Sequence, residues 1–458
     1  MHRKIASAER PFPAPLVTAL LWATSLNPLN SSIIATSLVA IATSFHVGAG
    51  QTATLVAAVY ISSAVAQPAM GTLAAQFGAR RMLVVGLGIV TLAGVVGAVA
   101  ASFGWLVASR ALVGIGTSAG YPSAMAIIRT QADARGTGIP GRVLGGISIA
   151  SQVTAALGLP LGGALTVLWG WPAVFAANIP LGLIGAALAL RWLPADPPRP
   201  KTTGRDVVSA LDPAGIALFT TTIVALIAVL SDVRHPSWLL AGVFLLSAAA
   251  LVLWELRARS PFLDVRALVR NGALVRTYLR QALALMGAYA MLYGYVQWLQ
   301  QSRGVDASVS GLIMLPMSAV AATVAALIAR RALIRGPLIA GAVAMLAGGA
   351  GAAFVSSSTG MVALVALSVV FGIVLGMTTT SNQAALYTQT TAAEIAVASG
   401  LLRTAGYLGA IFASALIALA FPATATDAGI HAIGWTIVAA GVVVLVLIVA
   451  DRRLPRRG

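Results

Sequence analysis

Gly71-Thr72-Leu73-Ala74-Ala75-Gln76-Phe77-Gly78-Ala79-Arg80-Arg81 joins two long uncharged runs, about 52 to 75 and 82 to 102. Crossing roughly 30 Å of hydrocarbon takes about 20 apolar residues as a helix, and each run is long enough. The glycine and paired arginines between them predict a tight hairpin whose positive charge stays on the cytoplasmic side. The same pattern repeats outward along the chain. Further charge-poor runs lie near 15 to 43, 105 to 128, 143 to 168 and 172 to 192, then near 213 to 231 and 237 to 255. Six more follow, near 274 to 300, 308 to 329, 336 to 355, 360 to 383, 395 to 421 and 430 to 450. Between the sixth and seventh runs, Pro194-Ala195-Asp196-Pro197-Pro198-Arg199-Pro200-Lys201 has too many prolines and charges for a helix interior.

Composition agrees with this reading. Of 458 residues, 59% are hydrophobic and 9% charged, with a mean hydropathy of +0.92, which excludes a set of soluble domains. The formal net charge of +17 would point to nucleic acid in a soluble chain. Here twenty-five of the 29 basic residues cluster in alternate loops and the two tails, so no nucleic acid partner is expected. That alternation places both termini inside and requires an even number of crossings. The outside loops hold Arg234 and Arg303, and the remaining two, Arg110 and Arg403, fall within spans. With no cysteine there is no disulfide, thiolate or Cys-ligated metal. The four histidines, His2, His46, His235 and His431, lie in a tail and three separate loops, without metal-site spacing. No Gly-rich loop with Lys-Ser/Thr is present to hold ATP, so ATP-driven pumping is not expected, and without clustered titratable groups in the apolar runs neither cofactor nor enzyme activity is expected.

The two halves echo each other. Ile328-Ala329-Arg330-Arg331 answers Gly78-Ala79-Arg80-Arg81, and Val370-Phe371-Gly372-Ile373 with Gly376 answers Leu112-Val113-Gly114-Ile115-Gly116. Such parallel repeats occur in some transporter folds. The expected fold is an all-α polytopic membrane protein with fourteen transmembrane helices. An N-terminal six-helix bundle spans 1–193, a linker with two inserted helices 194–272, and a C-terminal six-helix bundle 273–458.

Several motifs carry a family resemblance. Gly71 to Arg81 resembles the Gly-x-Leu-Ala-Asp-Arg-x-Gly-Arg-Arg signature of the major facilitator superfamily, with Ala75 at the acidic position and Gln76 at the basic one. Arg80 and Arg81 either set topology or bind anionic lipid phosphates. Arg110-Ala111-Leu112-Val113-Gly114-Ile115-Gly116 is similar to Arg-x-x-x-Gly-x-Gly, and Gly158-Leu159-Pro160-Leu161-Gly162-Gly163 to the antiporter motif Gly-Pro-x-x-Gly-Gly with its proline displaced by one residue. Small residues there serve either close helix packing or gating. Trp169-Gly170-Trp171-Pro172-Ala173-Val174-Phe175-Ala176-Ala177-Asn178-Ile179-Pro180 resembles Gly-Trp-Arg-Trp-x-Phe-x-x-Asn-x-Pro of the fourteen-span drug:proton antiporters. The resemblance implies a secondary transporter that exports small amphipathic molecules through the bacterial inner membrane by alternating access, with the proton as coupling ion.

One departure bears on substrate and coupling. Where those exporters carry a carboxylate in the first span, this chain has Asn30, and no acid is expected deep in the membrane. An amide neither titrates nor balances a cation. A neutral, zwitterionic or anionic substrate therefore fits better than a lipophilic cation, and a proton-independent facilitator or importer remains the alternative, with a non-transporting receptor more remote. Arg110 serves either proton and substrate handling or a structural hydrogen-bond hub, since a charge in hydrocarbon needs water or a partner. Glu394, at the start of its span, either titrates or favours the positive end of its helix. Met286, Tyr289, Tyr293, Gln297 and Gln300 recur at helical spacing, which predicts a stripe that lines a cavity or bonds neighbouring helices. Asn27, Asn382, Gln383, Arg403 and Tyr407 complete the candidate set, with Arg403 divided between cavity and structural pairing. The chain is expected to act as a monomer.

Overall fold

The computed structural model describes residues 12–134, 141–197, 211–231, 237–258, 271–331, 333–390, 395–451 and 454–455. Helices fill almost all of these. Twelve of them are long and apolar enough to cross a membrane. Two further helical rods stand outside that count: Pro213–Ser231, and Gly272–Tyr289 with its continuation to Gln301. The second carries Arg276 and Arg280 in its first turns, which lowers its hydropathy. Large apolar side chains face outward, among them Trp238, Leu246 and Val362, the pattern of a surface solvated by lipid rather than water.

The same pairing of helices occurs twice. In the first half Ala14–Ile33 packs on Gly141–Trp169, Ala49–Phe77 on Phe103–Ser118, and Ala79–Ala98 on Asn178–Trp192. In the second, Gly272–Tyr289 packs on Ile395–Ala420, Ala307–Arg331 on Met361–Gln389, and Arg335–Phe354 on Asp427–Ala450. This repetition gives the sequence echo a physical cause. A Cβ on Gly114 would lie 2.5 Å from the Val59 carbonyl oxygen, and one on Gly372 would fall on that of Met317. Each glycine lets the corresponding helix pair approach backbone to backbone.

Two seams join the halves. Gly141–Trp169 packs against Ala307–Arg331, and Ala49–Phe77 against Ile395–Ala420. The Pro213–Ser231 helix lies on the second seam, touching both of its helices, while Trp238–Glu255 packs chiefly on Pro213–Ser231. Where the sequence pattern gave one unbroken run, 274 to 300, the helix contains a π-helical segment at Ala290–Tyr295. Its wider turn shifts the facing of everything beyond it.

Candidate functional site

A cavity of about 450 Å³ lies between the halves, with polar groups from Asn27, Ser31, Gln152, Gln383 and Arg403 on its wall. A second recess of about 710 Å³ shares Gln152, Thr379, Gln383 and Tyr387 with it and extends to Ile328, Leu333 and Thr388. The opening therefore lies at the end of the molecule where Arg330 and Arg331 close their helix. Arg403 is exposed on this wall, its guanidinium carbon 3.5 Å from the centroid of the Tyr121 ring. Tyr121 belongs to the first half and Arg403 to the second, so this cation–π contact, worth about 0.5–2 kcal/mol, ties the halves across the cavity. Asn27 donates to Thr117 Oγ1 at 3.0 Å, Gln383 to Ser399 Oγ at 3.5 Å, and the Tyr407 hydroxyl to Gln67 Oε1.

The other end is sealed. The Tyr293 hydroxyl donates to the Ser31 carbonyl at 2.8 Å and lies 3.0 Å from the Tyr60 hydroxyl. Tyr60 also packs on Tyr289 and Tyr407, with ring centroids 5.0 and 5.9 Å away. Nearer the chain ends of these helices, Thr52 donates to Gln297 Oε1 at 3.3 Å, and Gln300 Nε2 to the Thr36 carbonyl and Ser310 Oγ, each at 3.0 Å. The Ala49 amide donates to the Ala423 carbonyl at 2.8 Å. Of the stripe expected from helical spacing, Tyr289 lines the cavity, while Tyr293, Gln297 and Gln300 form this seal. Met286 packs against the buried core beside them.

Arg110 stands behind the cavity rather than on its wall. It is 2% exposed, and donates through Nε to the Leu55 carbonyl at 3.3 Å and through Nη1 to that of Asn30 at 3.2 Å. Among the described residues its Nη2 and the Asn30 Oδ1 have no hydrogen-bond partner. The Asn30 amide turns back to the Leu26 carbonyl at 3.0 Å, as a short polar side chain inside a helix tends to do. The backbone, not the side chain, of position 30 meets the arginine.

The glycine motifs divide by what they touch. A Cβ on Gly158 would fall on Ser32 Oγ and one on Gly162 on the Ile33 carbonyl, both within the first half. On Gly163 it would lie 2.6 Å from the Ala307 carbonyl oxygen, across the seam. Pro160 lies inside the same helix, beside Gly311 of the other half. A Cβ on Gly71 would lie 3.7 Å from Pro122, an ordinary contact.

Gly78 adopts φ +110°, and a Cβ there would meet the Asp196 carboxylate. That carboxylate accepts the Arg80 and Arg81 amides at 3.0 Å each, capping the Ala79–Ala98 helix. Arg80 also donates through Nη2 to the Leu190 carbonyl. The loop lacks an acid at Ala75, and Asp196, from beyond the sixth span, serves the helix terminus instead.

In the second half Asp451 is fully buried and pairs with Arg276 at 3.0 Å and Arg280 at 3.3 Å. Burial alone would raise its carboxyl pKa, but hydrogen bonds and charge from both arginines outweigh this and hold it below the ordinary range. Asn382 accepts from Arg280 at 3.3 Å and donates to Gln281 at 3.1 Å, so it belongs to this cluster and not to the cavity wall. Glu255 and Asp212 are likewise buried, at helix ends. Glu394 lies outside the described residues.

A cavity walled by helices from two repeated halves and sealed at one end defines a polytopic membrane transporter. Residues 20–414 match the model of the Major Facilitator Superfamily, and the chain belongs to that family, whose members are transporters and not enzymes. It is 31% identical over 433 residues to the Uncharacterized MFS-type transporter YwoD of Bacillus subtilis (strain 168), covering 93% of this chain and 94% of that one. To the Multidrug efflux pump LfrA of Mycolicibacterium smegmatis it is 27% identical over 409 residues, covering 86% and 78%. A crystal structure of a D-xylose-proton symporter superposes with a TM-score of 0.67 at 15% identity, over 96% of this chain and 98% of that one, a likeness of fold.

Proposed function

We propose that the chain exports small amphipathic molecules across a bacterial inner membrane by alternating access, coupled to proton antiport. The observation that carries this reading is the asymmetry of the interbundle contacts: a cavity open toward the arginine-rich hairpins, and at the far end a hydrogen-bonded seal built on both halves. Export then requires the seal to break as the open end closes around bound substrate. The relative LfrA, named a multidrug efflux pump, supports the direction.

The topology proposed with it has fourteen crossings, the Pro213–Ser231 and Gly272–Gln301 rods joining the twelve longer apolar helices. Six-helix bundles at 1–193 and 273–458 flank the 194–272 insert, and both termini are cytoplasmic by the arginine distribution. The chain works as a monomer, with Arg80 and Arg81 at the depth of anionic lipid headgroups.

A second reading, proton-independent facilitation, is favoured by one observation. Among the described residues no carboxylate lines the cavity, and Asn30 stands where the resemblance to the drug:proton antiporters implies an acid. Uptake of labelled amphipaths into inside-out vesicles, with and without an inside-acid pH gradient, decides between them. Accumulation driven by the gradient supports antiport and directs the search for a titrating group to Glu394. Uptake that only equilibrates at every pH overturns coupling.

A further inference from the structure

We infer that the cavity takes an organic anion: a flat, largely apolar molecule whose carboxylate or sulfonate draws the Arg403 guanidinium from the Tyr121 ring. This rests on the transporter reading and names its substrate class. Among the described residues on the wall, Arg403 is the single charged side chain. It is exposed to the cavity and makes no ion pair among the described residues. Its neighbours are the face of Tyr121 and the Tyr407 hydroxyl, neutral partners that a carboxylate outcompetes because it carries charge and accepts two parallel N–H bonds in a planar match.

The remaining wall suits the body of such a molecule. Tyr121, Tyr289 and Tyr387 offer ring faces, Leu285 and Leu292 aliphatic contact, and Gln152 and Gln383 neutral donors and acceptors. A volume of about 450 Å³ accommodates a fused-ring compound. A cationic ligand would meet Arg403 and find no countercharge on the described wall, so repulsion works against it. Arg110 does not supply the anion site, because it is 2% exposed and engaged with two backbone carbonyls.

The contact also crosses between halves. Capture of Arg403 by substrate releases Tyr121, so an anion loosens one tie at the open end as it binds, giving a cargo of this class a direct influence on movement of the halves.

The test is calorimetric titration of the purified full chain in phosphatidylcholine nanodiscs at neutral pH, with empty nanodiscs subtracted. The probes are three ligands of one ring system: 2-naphthoate, 2-naphthamide and 2-naphthylmethylammonium. Naphthoate is expected to bind at least about tenfold more tightly than the other two, the scale of a charge-assisted hydrogen-bonded pair. Arg403→Gln collapses the naphthoate-to-naphthamide ratio to near one, and Arg403→Lys keeps most of it. If Arg403→Gln does not fold, the wild-type panel and Arg403→Lys still decide. Equal or weaker binding of naphthoate to the wild type, a preference that survives Arg403→Gln, or no binding of any probe overturns the anion assignment. Transport into inside-out vesicles is read separately. Naphthoate bound through Arg403 but never moved upholds this assignment and overturns the exporter reading. Preferential export of the amide or ammonium does the reverse.

Discussion

The two ends of the molecule are held by different kinds of contact. At the sealed end polar bonds run between the halves: Tyr293 to Ser31, Gln300 to Thr36, Thr52 to Gln297, Ala49 to Ala423. At the open end the carboxylates work within a half. Asp196 caps Ala79–Ala98 in the first, and Asp451 clasps Arg276 and Arg280 in the second. Bonds inside a half survive when the halves rock, whereas bonds between them are made and lost. The open end is thus built to keep each bundle rigid, and the sealed end to be temporary.

Breaking an internal clasp gives the largest effect. Asp451→Ala leaves two arginines facing a buried site without their carboxylate and is expected to cost about 3–5 kcal/mol of stability, measured by thermal unfolding in detergent. Because the folded-state pKa of Asp451 lies below its unfolded value, the stabilisation is complete above the ordinary carboxylate range. It is lost as pH falls through the lowered folded value. Unfolding temperatures of the wild type therefore drop on acidification below about pH 4, and Asp451→Asn shows a smaller drop. An equal drop in both would assign the acid sensitivity elsewhere.

Arg110→Ala comes next. The arginine joins the Leu55 and Asn30 carbonyls of two helices beside the seal, and charged hydrogen bonds contribute roughly 1.5–3 kcal/mol. Transport is expected to fall by about a hundredfold with expression intact. Normal flux would remove Arg110 from the working cycle and leave it a packing residue.

Gly163→Val acts on the seam alone. Its first added atom would press on the backbone of Ala307 and Ser308 in the opposite half, and overpacking costs about 1–3 kcal/mol. The sealed state should lose about tenfold or more of its population. The chain has no cysteine, so a thiol placed at Ala53, 2% exposed, reports opening by its rate of alkylation without background. An unchanged rate would mean that the seam yields without opening.

How much of this was legible depends on the kind of signal. Hydropathy is local, and each expected run falls on a helix within a few residues, from Ala14 to Ala450. The Gly114 and Gly372 echo was legible too, because close helix approach constrains residue size directly. Partner choice was not. Asp196 lies in the proline-rich linker and Asp451 at the end of the last apolar run, and nothing in the chain order says that residue 196 returns to Gly78 or 451 to Arg280. Tyr60 was missed although a tyrosine in an apolar run was a usable signal. Arg110 was visible as a buried charge, but its place behind the cavity depends on three helices at once. The division of the Tyr289–Gln300 stripe between wall and seal follows from the π segment, which helical spacing at 3.6 residues per turn does not anticipate.

The smallest expected change isolates one bond of the seal. Tyr293→Phe keeps the ring, and with it the stack on Tyr289, whose planes are 11° apart, but removes the donor to Ser31 and the contact with the Tyr60 hydroxyl. A neutral hydrogen bond contributes about 1 kcal/mol net, so the equilibrium should move toward the unsealed state by about fivefold. The alkylation rate at the Ala53 thiol should rise by that factor and transport change less, since a weaker seal slows one half of the cycle and speeds the other. Tyr60→Phe takes away the second hydroxyl and leaves Tyr293 bonded to Ser31, so its effect should be smaller still. If the two variants raise the rate equally, the hydroxyl pair rather than the Ser31 carbonyl holds the seal. If neither does, packing alone holds it, and the Gly163 seam becomes the place where the two halves are locked.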